Sequence, residues 1–335
     1  MKNNNDVLLD ISGLNVSFHT RRGLVRAVKD LSLTIKEGET LALVGESGCG
    51  KSVTAHSITQ LVPMPPGEIE SGTINFRGTD LLTLSDREMR AIRGSKISMI
   101  FQEPMTSLNP VFTVGTQIGE VFRTHEGLGK KECFEKAVEL LDLVKIPDPA
   151  KRAKSYPHQL SGGMRQRAMI AMALASPEPG LMIADEPTTA LDVTIQAQIL
   201  QLLAELKGRV GMALLLITHD MGVVAETADR VAVMYAGHKV EDAPVETLFA
   251  DPRHPYTQGL LGCQPSAPAN RGARRLVSID GSVPDLLSIG DGCPFANRCM
   301  NVEPDCLEAF PGKTEAGEDH EFWCHHPVDQ SGASS

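Results

Sequence analysis

The stretch GESGCGKS, Gly45 to Ser52, fits the pattern GxxxxGK[ST]. Glycines at Gly45, Gly48 and Gly50 let successive backbone N–H groups turn inward on an anion. Lys51 can reach terminal phosphate oxygens, and the Ser52 hydroxyl can ligate Mg²⁺. Glu46, Ser47 and Cys49 fill the variable positions. The Cys49 thiol is expected to line the loop, so that alkylation blocks turnover and MgATP protects. A second stretch, GLMIADEP, ends an apolar run in Asp185 and Glu186. Asp185 suits the Mg²⁺ shell, and Glu186 is placed to polarise a water for in-line attack on a γ-phosphate. His219, in ITHD at the end of another apolar run, could contact the γ-phosphate and fix that water.

This chemistry needs strands that end in the loops and helices that begin after them. Thr40–Val44 is a short apolar strand running into the phosphate loop, and a helix is expected over Ser52–Leu61, stopped by PMPPGE. Val7–His19 and Val28–Ile35 alternate as half-buried strands, and further strands are expected at Thr73–Phe76, Lys96–Phe101, Leu181–Ala184, Ala213–Ile217 and Arg230–Met234. Helices are expected near Ser85–Ile92, and between Gly115 and Ala175 the spacing turns helical, as in Cys133–Val144 and Met164–Ala175. The order implies an α/β sheet core with a helical insertion. After His254 the chain reads as loop, and Ala267–Arg275 as a linker into a small tail.

LSGGMRQR, Leu160 to Arg167, is a second glycine turn more than a hundred residues beyond the first. With the other motifs it resembles the signature of the ATP-binding-cassette ATPases. That resemblance implies a P-loop ABC core: a mixed sheet with a RecA-like lobe, an antiparallel β part and a helical subdomain. It also implies that Ser161, Gly162 and Gly163, assisted by Gln166, face the ATP of a second ATPase subunit, using exposed N–H groups and the helix dipole. Met164 stands where many members have glutamine. By the same resemblance Phe18 stacks on adenine, Gln102 touches Mg²⁺ and water, and Asp192 of TTALD runs along the dimer seam. Mg²⁺ would then be held by Ser52, Gln102 and Asp185.

RHPYT (Arg253–Thr257), FQEPMTSLNP, YPHQLSGGM and ADEPTTALDVTIQAQIL resemble the dipeptide and oligopeptide importer ATPases, in particular their D-type subunits. This implies an ATPase subunit peripheral on the cytoplasmic face of the inner membrane. It would be paired with a second cassette ATPase as a heterodimer, with two membrane-spanning permease subunits and with a periplasmic peptide-binding protein. Importers of nickel, glutathione or antimicrobial peptides share this layout. The expected division is an ATPase domain over 1–262, with its helical insertion at about 103–177, and an extension over 263–335.

The tail reads GCPFANRCMNVEPDC…WCHHP, with Cys293, Cys299, Cys306 and Cys324 spaced C-x₅-C-x₆-C-x₁₇-C. Zinc sites more often show C-x₂₋₄-C pairs, and a proline directly follows Cys293, as suits a [4Fe–4S] cluster. The importer resemblance implies the same cluster; zinc or no metal stay open. His320, His325 and His326 are alternative ligands that read first as solvated surface residues. A tail this short is expected to need a metal as its staple.

The totals fit this picture. With 335 residues, 41% hydrophobic and 22% charged, the chain is an ordinary globular composition. Its net charge of −10 argues against a dedicated nucleic-acid binder. A soluble cassette ATPase working on DNA or ribosomes would need tandem cassettes, a coiled-coil insertion or a basic surface, none of which the sequence carries. No apolar run approaches the roughly 18–20 residues needed to span a bilayer.

Overall fold

The computed structural model describes residues 6–102, 107–188, 193–264 and 278–328. The chain falls into two compact units. A helical unit comprises Met1–Leu8, Ile35–Glu39 and Asp80–Ile217. A phosphate-loop unit comprises Leu9–Thr34, Thr40–Thr79 and Thr218–Ser335.

The phosphate-loop unit begins with β1 (Val7–Thr20) and β2 (Gly23–Lys36), followed by β3 (Thr40–Val44), α1 (Lys51–Ile58), β4 (Gly67–Phe76) and the two-residue β5 (Thr79–Asp80). Four of these strands make a sheet in the order β2-β1-β4-β5, with β1 and β4 antiparallel. Alternating apolar residues in β1 bury Leu9, Ile11, Leu14 and Val16. β3 is different: all five residues are buried, as in a strand covered on both faces.

The helical unit continues with α2 (Asp86–Ile92), β6 (Ile97–Ile100), α3 (Val114–His125), α4 (Lys130–Leu143), α5 (Pro149–Ala153), α6 (Gly162–Leu174), β7 (Leu181–Asp185), α7 (Val193–Val210) and β8 (Ala213–Thr218). Ser85 caps α2 in a reciprocal box with Glu88. α4 buries Cys133, Ala137 and Leu141, a stripe at helical spacing. Strands β6, β7 and β8 run parallel, with Ile97 opposite Leu181 and Leu181 opposite Ala213. Every residue of β7 is buried, so the polar end of that strand is delivered at a fixed depth.

The phosphate-loop unit then resumes with α8 (Met221–Thr227), β9 (Arg230–Tyr235), β10 (His238–Pro244), α9 (Val245–Ala250), α10 (Pro255–Gly262), α11 (Asp305–Glu308), β11 (Thr314–Gly317) and β12 (His320–Phe322). β3 pairs parallel with β9, β9 forms a hairpin with β10, and β10 pairs antiparallel with β12, which in turn pairs with β11. Three of these elements depart from the sequence reading. The segment after His254 is helical, because Pro255 occupies the first turn and the His254 ring accepts the N–H of Tyr256. The tail also adds two strands to the sheet. The linker expected at Ala267–Arg275 lies outside the described residues.

The tail shares its core with the phosphate-loop unit. Phe295 packs among Val233, Tyr235, Val240, Leu248 and Tyr256. Its ring centroid lies 5.2 Å from that of Tyr235 and 5.4 Å from that of Tyr256. Aromatic trios of this kind bury large apolar area and resist piecemeal opening. Replacing Phe295 with Ala is expected to cost about 3–5 kcal/mol. Urea unfolding followed by tyrosine fluorescence should show one weakened transition for the whole unit; an early, separate release of the tail would contradict the shared core.

Candidate functional site

In the phosphate-loop unit the turn from Gly45 to Gly50 lies on backbone. A Cβ added to Gly45, which has φ +149°, would fall 2.2 Å from the carbonyl oxygen of Met234. One added to Gly50, with φ +108°, would fall 2.5 Å from that of Ala27. Glycine is required at both positions by contact and by conformation. α1 begins at Lys51, so the loop feeds directly into a helix N-terminus. The Lys51 side chain is 5% exposed, and its Nζ donates to the carbonyls of Gly45 at 2.7 Å and Glu46 at 3.0 Å. It thus spans the mouth of the turn, where a phosphate oxygen would replace a carbonyl. Glycines, lysine and helix end together fit a polyphosphate.

Cys49 departs from expectation. It is 1% exposed, beneath the loop, and burial raises its thiol pKa despite the nearby Lys51 ammonium 3.6 Å away. A buried, protonated thiol reacts slowly, so rapid alkylation is no longer expected. Phe18 is half-buried on β1, opposite Gly67. His219 is exposed between β8 and α8, in a turn fixed by Asp220, whose carboxylate caps the N–H groups of Gly222 and Val223.

The HPYT segment supports the loop from below. Tyr256 is fully buried, and its hydroxyl accepts the N–H of Glu46 at 2.8 Å. The segment's own backbone is held by Glu241, a carboxylate with no exposed surface. It accepts the N–H groups of Arg253 at 2.7 Å and His254 at 2.9 Å. The same carboxylate meets His320 at 2.8 Å. His320 is 2% exposed, which corrects its reading as a surface residue. Arg298 forms a two-pronged pair with the Glu46 carboxylate, at 2.6 and 3.1 Å. Sequence reasoning missed the Tyr256 and Arg298 contacts, which join positions 210 and 252 residues apart.

The helical unit holds a second constellation. Asp185 is 2% exposed at the end of β7. Glu186 has φ +45°, a left-handed backbone unusual for a non-glycine residue, and its N–H donates to the carbonyl of Ile217 at 3.0 Å. Gln102 donates its amide to the Glu186 carboxylate at 3.0 Å. Backbone strain of this kind also occurs at Asp30 and Asp148, and at Glu186 it coincides with the carboxylate that Gln102 holds.

Ser161 caps α6, accepting the N–H of Met164 at 3.3 Å. Ser161 and Gly162 are exposed, and nothing lies within 4 Å of a Cβ placed on Gly162, while Gly163 faces Ile195. The N-terminus of this 13-residue helix is therefore open to an incoming anion. Gln166 does not join it. It is 2% exposed, and its amide donates to the carbonyl of Pro187 at 2.5 Å, tying the signature helix to the turn after Glu186. Asp192 lies outside the described residues.

The four tail cysteines line one small cavity, with His254, Phe295, His325 and His326 also in its wall. All four are free thiols. Burial pushes Cys293 up to about 11 and Cys324 to about 12 and raises Cys299, and neighbouring cysteines add to each shift. Thiols so crowded favour a bound cation that takes their protons' place. His254 is fully buried and neutral, burial lowering its pKa to about 4. Because Nδ1 accepts from Tyr256, the ring proton sits on Nε2, which has no hydrogen-bond partner among the described residues. An orphaned buried donor in a four-thiol cavity fits an anionic sulfur-rich group. Asp305, Cys306 and His326 also gather within 4.8 Å of one another.

The ABC transporter family profile matches residues 28–189, and the oligopeptide/dipeptide transporter C-terminal region profile matches residues 240–306. The dipeptide transport ATP-binding protein DppD of Bacillus subtilis (strain 168) is 53% identical over 317 residues, covering 95% of this chain and 94% of that one. The oligopeptide transport ATP-binding protein OppD of the same strain is 51% identical over 322 residues, covering 96% and 89%. Among solved structures, a dimeric post-hydrolysis state of the ATP-binding cassette MJ0796 bound to ADP and Pi matches with a TM-score of 0.64. It is 28% identical, over 71% of this chain and 98% of that one. With a glycine-lined phosphate loop, a strand-end carboxylate pair and likeness over nearly its whole length, the chain belongs to the ABC transporter ATP-binding proteins that carry the oligopeptide/dipeptide transporter C-terminal region.

Proposed function

We propose that the chain binds and hydrolyses ATP to power import of dipeptides or oligopeptides through a membrane transporter. The observation that carries this reading is the joint presence of the ABC transporter match over residues 28–189 and the peptide-importer C-terminal region over residues 240–306, in a chain 53% identical over 95% of its length to a dipeptide transport ATP-binding protein. Backbone N–H groups of Gly45, Ser47, Gly48, Cys49 and Gly50 bind the phosphates, that of Glu46 being taken by the Tyr256 hydroxyl, with Lys51 on the outer oxygens and Phe18 against the base. Ser52 and Asp185, with Gln102, are the residues that would hold Mg²⁺, which would supply charge neutralisation at the phosphates. Glu186 takes a proton from the attacking water, oriented by Gln102 and with His219 at the γ-phosphate.

Ser161, Gly162 and Gly163 serve the nucleotide of a second cassette ATPase, with Asp192 at the seam between them. Gln166 is assigned a different task, holding the signature helix to the strand end. The partners are that second ATPase, two permease subunits and a periplasmic peptide-binding protein. Among the described residues no helix is long and apolar enough to cross a membrane, which accords with a peripheral place on the cytoplasmic face. The ATPase domain spans about 1–262, and the extension follows from 263.

Cys293, Cys299, Cys306 and Cys324 are the residues that would hold a [4Fe–4S] cluster, which would supply a covalent staple for the extension. The donor set favours it: four thiols around one cavity, with the His254 N–H facing them. A single divalent ion is the second reading, favoured by the grouping of Asp305, Cys306 and His326 within 4.8 Å.

Two measurements test these assignments. Glu186→Gln in the assembled transporter should keep MgATP binding, trap closed ATPase pairs and lower turnover on the order of 10²–10⁴-fold. Near-normal hydrolysis would remove Glu186 from the proton transfer. Anaerobic purification should yield about four iron and four sulfide per chain with visible charge-transfer absorption, all lost in Cys324→Ser. One zinc and no sulfide would establish the single-ion reading instead.

A further inference from the structure

The second position of the phosphate loop holds a carboxylate. Glu46 is 29% exposed by side chain and lies in a turn whose other features all attract anions. An uncompensated negative charge there would oppose the ligand. Its compensation comes from the tail: Arg298, 5% exposed, donates Nη1 to Glu46 Oε2 at 2.6 Å and Nη2 to Oε1 at 3.1 Å. The guanidinium is fully employed. Nε donates to the carbonyl of Asp280 at 2.9 Å, and Nη1 also reaches the Tyr235 hydroxyl at 3.2 Å. A fork held by a wall of fixed acceptors delivers its charge in one geometry, which a flexible lysine would not. Arg298 ends the short turn Ala296–Arg298, whose C-terminal cap is Cys299. The segment between Cys293 and Cys299 therefore presents the cation, while Tyr256 accepts the Glu46 N–H, so the same loop residue is clasped at side chain and backbone.

We infer that Arg298 is a positioning residue of the nucleotide site: by neutralising and holding Glu46 it sets the charge and shape of the phosphate loop, so ATP affinity depends on the C-terminal extension. This rests on the reading that the loop binds ATP. It assigns the extension a role in nucleotide binding, exerted without touching the nucleotide.

The test is a double-mutant cycle on the full chain in its transporter, reading the Kd of MgATP by calorimetry, the split between KM and kcat, and iron content. Arg298→Ala should weaken MgATP binding about 10- to 100-fold, an effect of the size expected for an unmasked charge beside a polyanion. The loss should fall on KM rather than kcat, with iron content retained. In a Glu46→Gln background the same Arg298→Ala change should cost less than about threefold, because no charge remains to unmask. Arg298→Lys should lie between. Should Arg298→Ala fail to fold, the cycle is run with Arg298→Gln, which keeps donors for the neighbouring carbonyls. Equal losses in the two backgrounds would make Arg298 a mere attachment of the tail and overturn the inference, as would unchanged affinity in both. A wild-type chain that bound no MgATP would overturn the ATPase reading itself.

Discussion

The phosphate loop can turn its N–H groups outward because its underside rests on other backbone. Gly45 lies so close to the carbonyl of Met234, and Gly50 to that of Ala27, that no side chain fits between. This contact fixes where β3 ends, where α1 begins and how deep Lys51 sits. It also explains why the surrounding support is so polar in its detail. No side chain fits beneath Gly45 or Gly50, so the loop is steadied between them, where the buried Tyr256 hydroxyl accepts the Glu46 N–H.

Glu241 does comparable service in the next layer outward. A carboxylate with no exposed surface is costly unless every oxygen is used. Here it collects two backbone N–H groups from the HPYT segment and the ring of His320 from the tail. The motif's histidine and tyrosine are thereby aimed in different directions, His254 toward the thiol cavity and Tyr256 toward the phosphate loop. The C-terminal extension is built into this unit rather than appended to it.

What can be read from the sequence follows from range. Thr40–Val44 is legible as a buried strand because all its residues are apolar or small, and the turn after it because GESGCGKS carries its own mechanism. Asp185 and Glu186 are legible for the same reason: a polar pair ends an apolar run. Gln166 is misleading because its spacing within LSGGMRQR says which turn of α6 it occupies but not that Pro187 waits beside it. His320 reads as surface because its partner, Glu241, lies 79 residues away. Arg298 carries no local pattern at all, and only the folded chain brings it to Glu46. The α10 helix, by contrast, does carry a local signal, a proline just inside a capping residue.

The pairing of β12 with β10 carries a consequence for the life of the chain outside its assembly. Without the tail, β10 would end the sheet as a bare edge, with its ladder groups open to any passing strand. The tail covers it and closes the sheet with β11, whose Thr314, Glu315, Ala316 and Gly317 are exposed, short and weakly apolar. A cassette cut back to its ATPase motifs would thus lose a guard against self-association as well as a neighbour of its phosphate loop. Its failure would show as precipitation before it showed as lost catalysis.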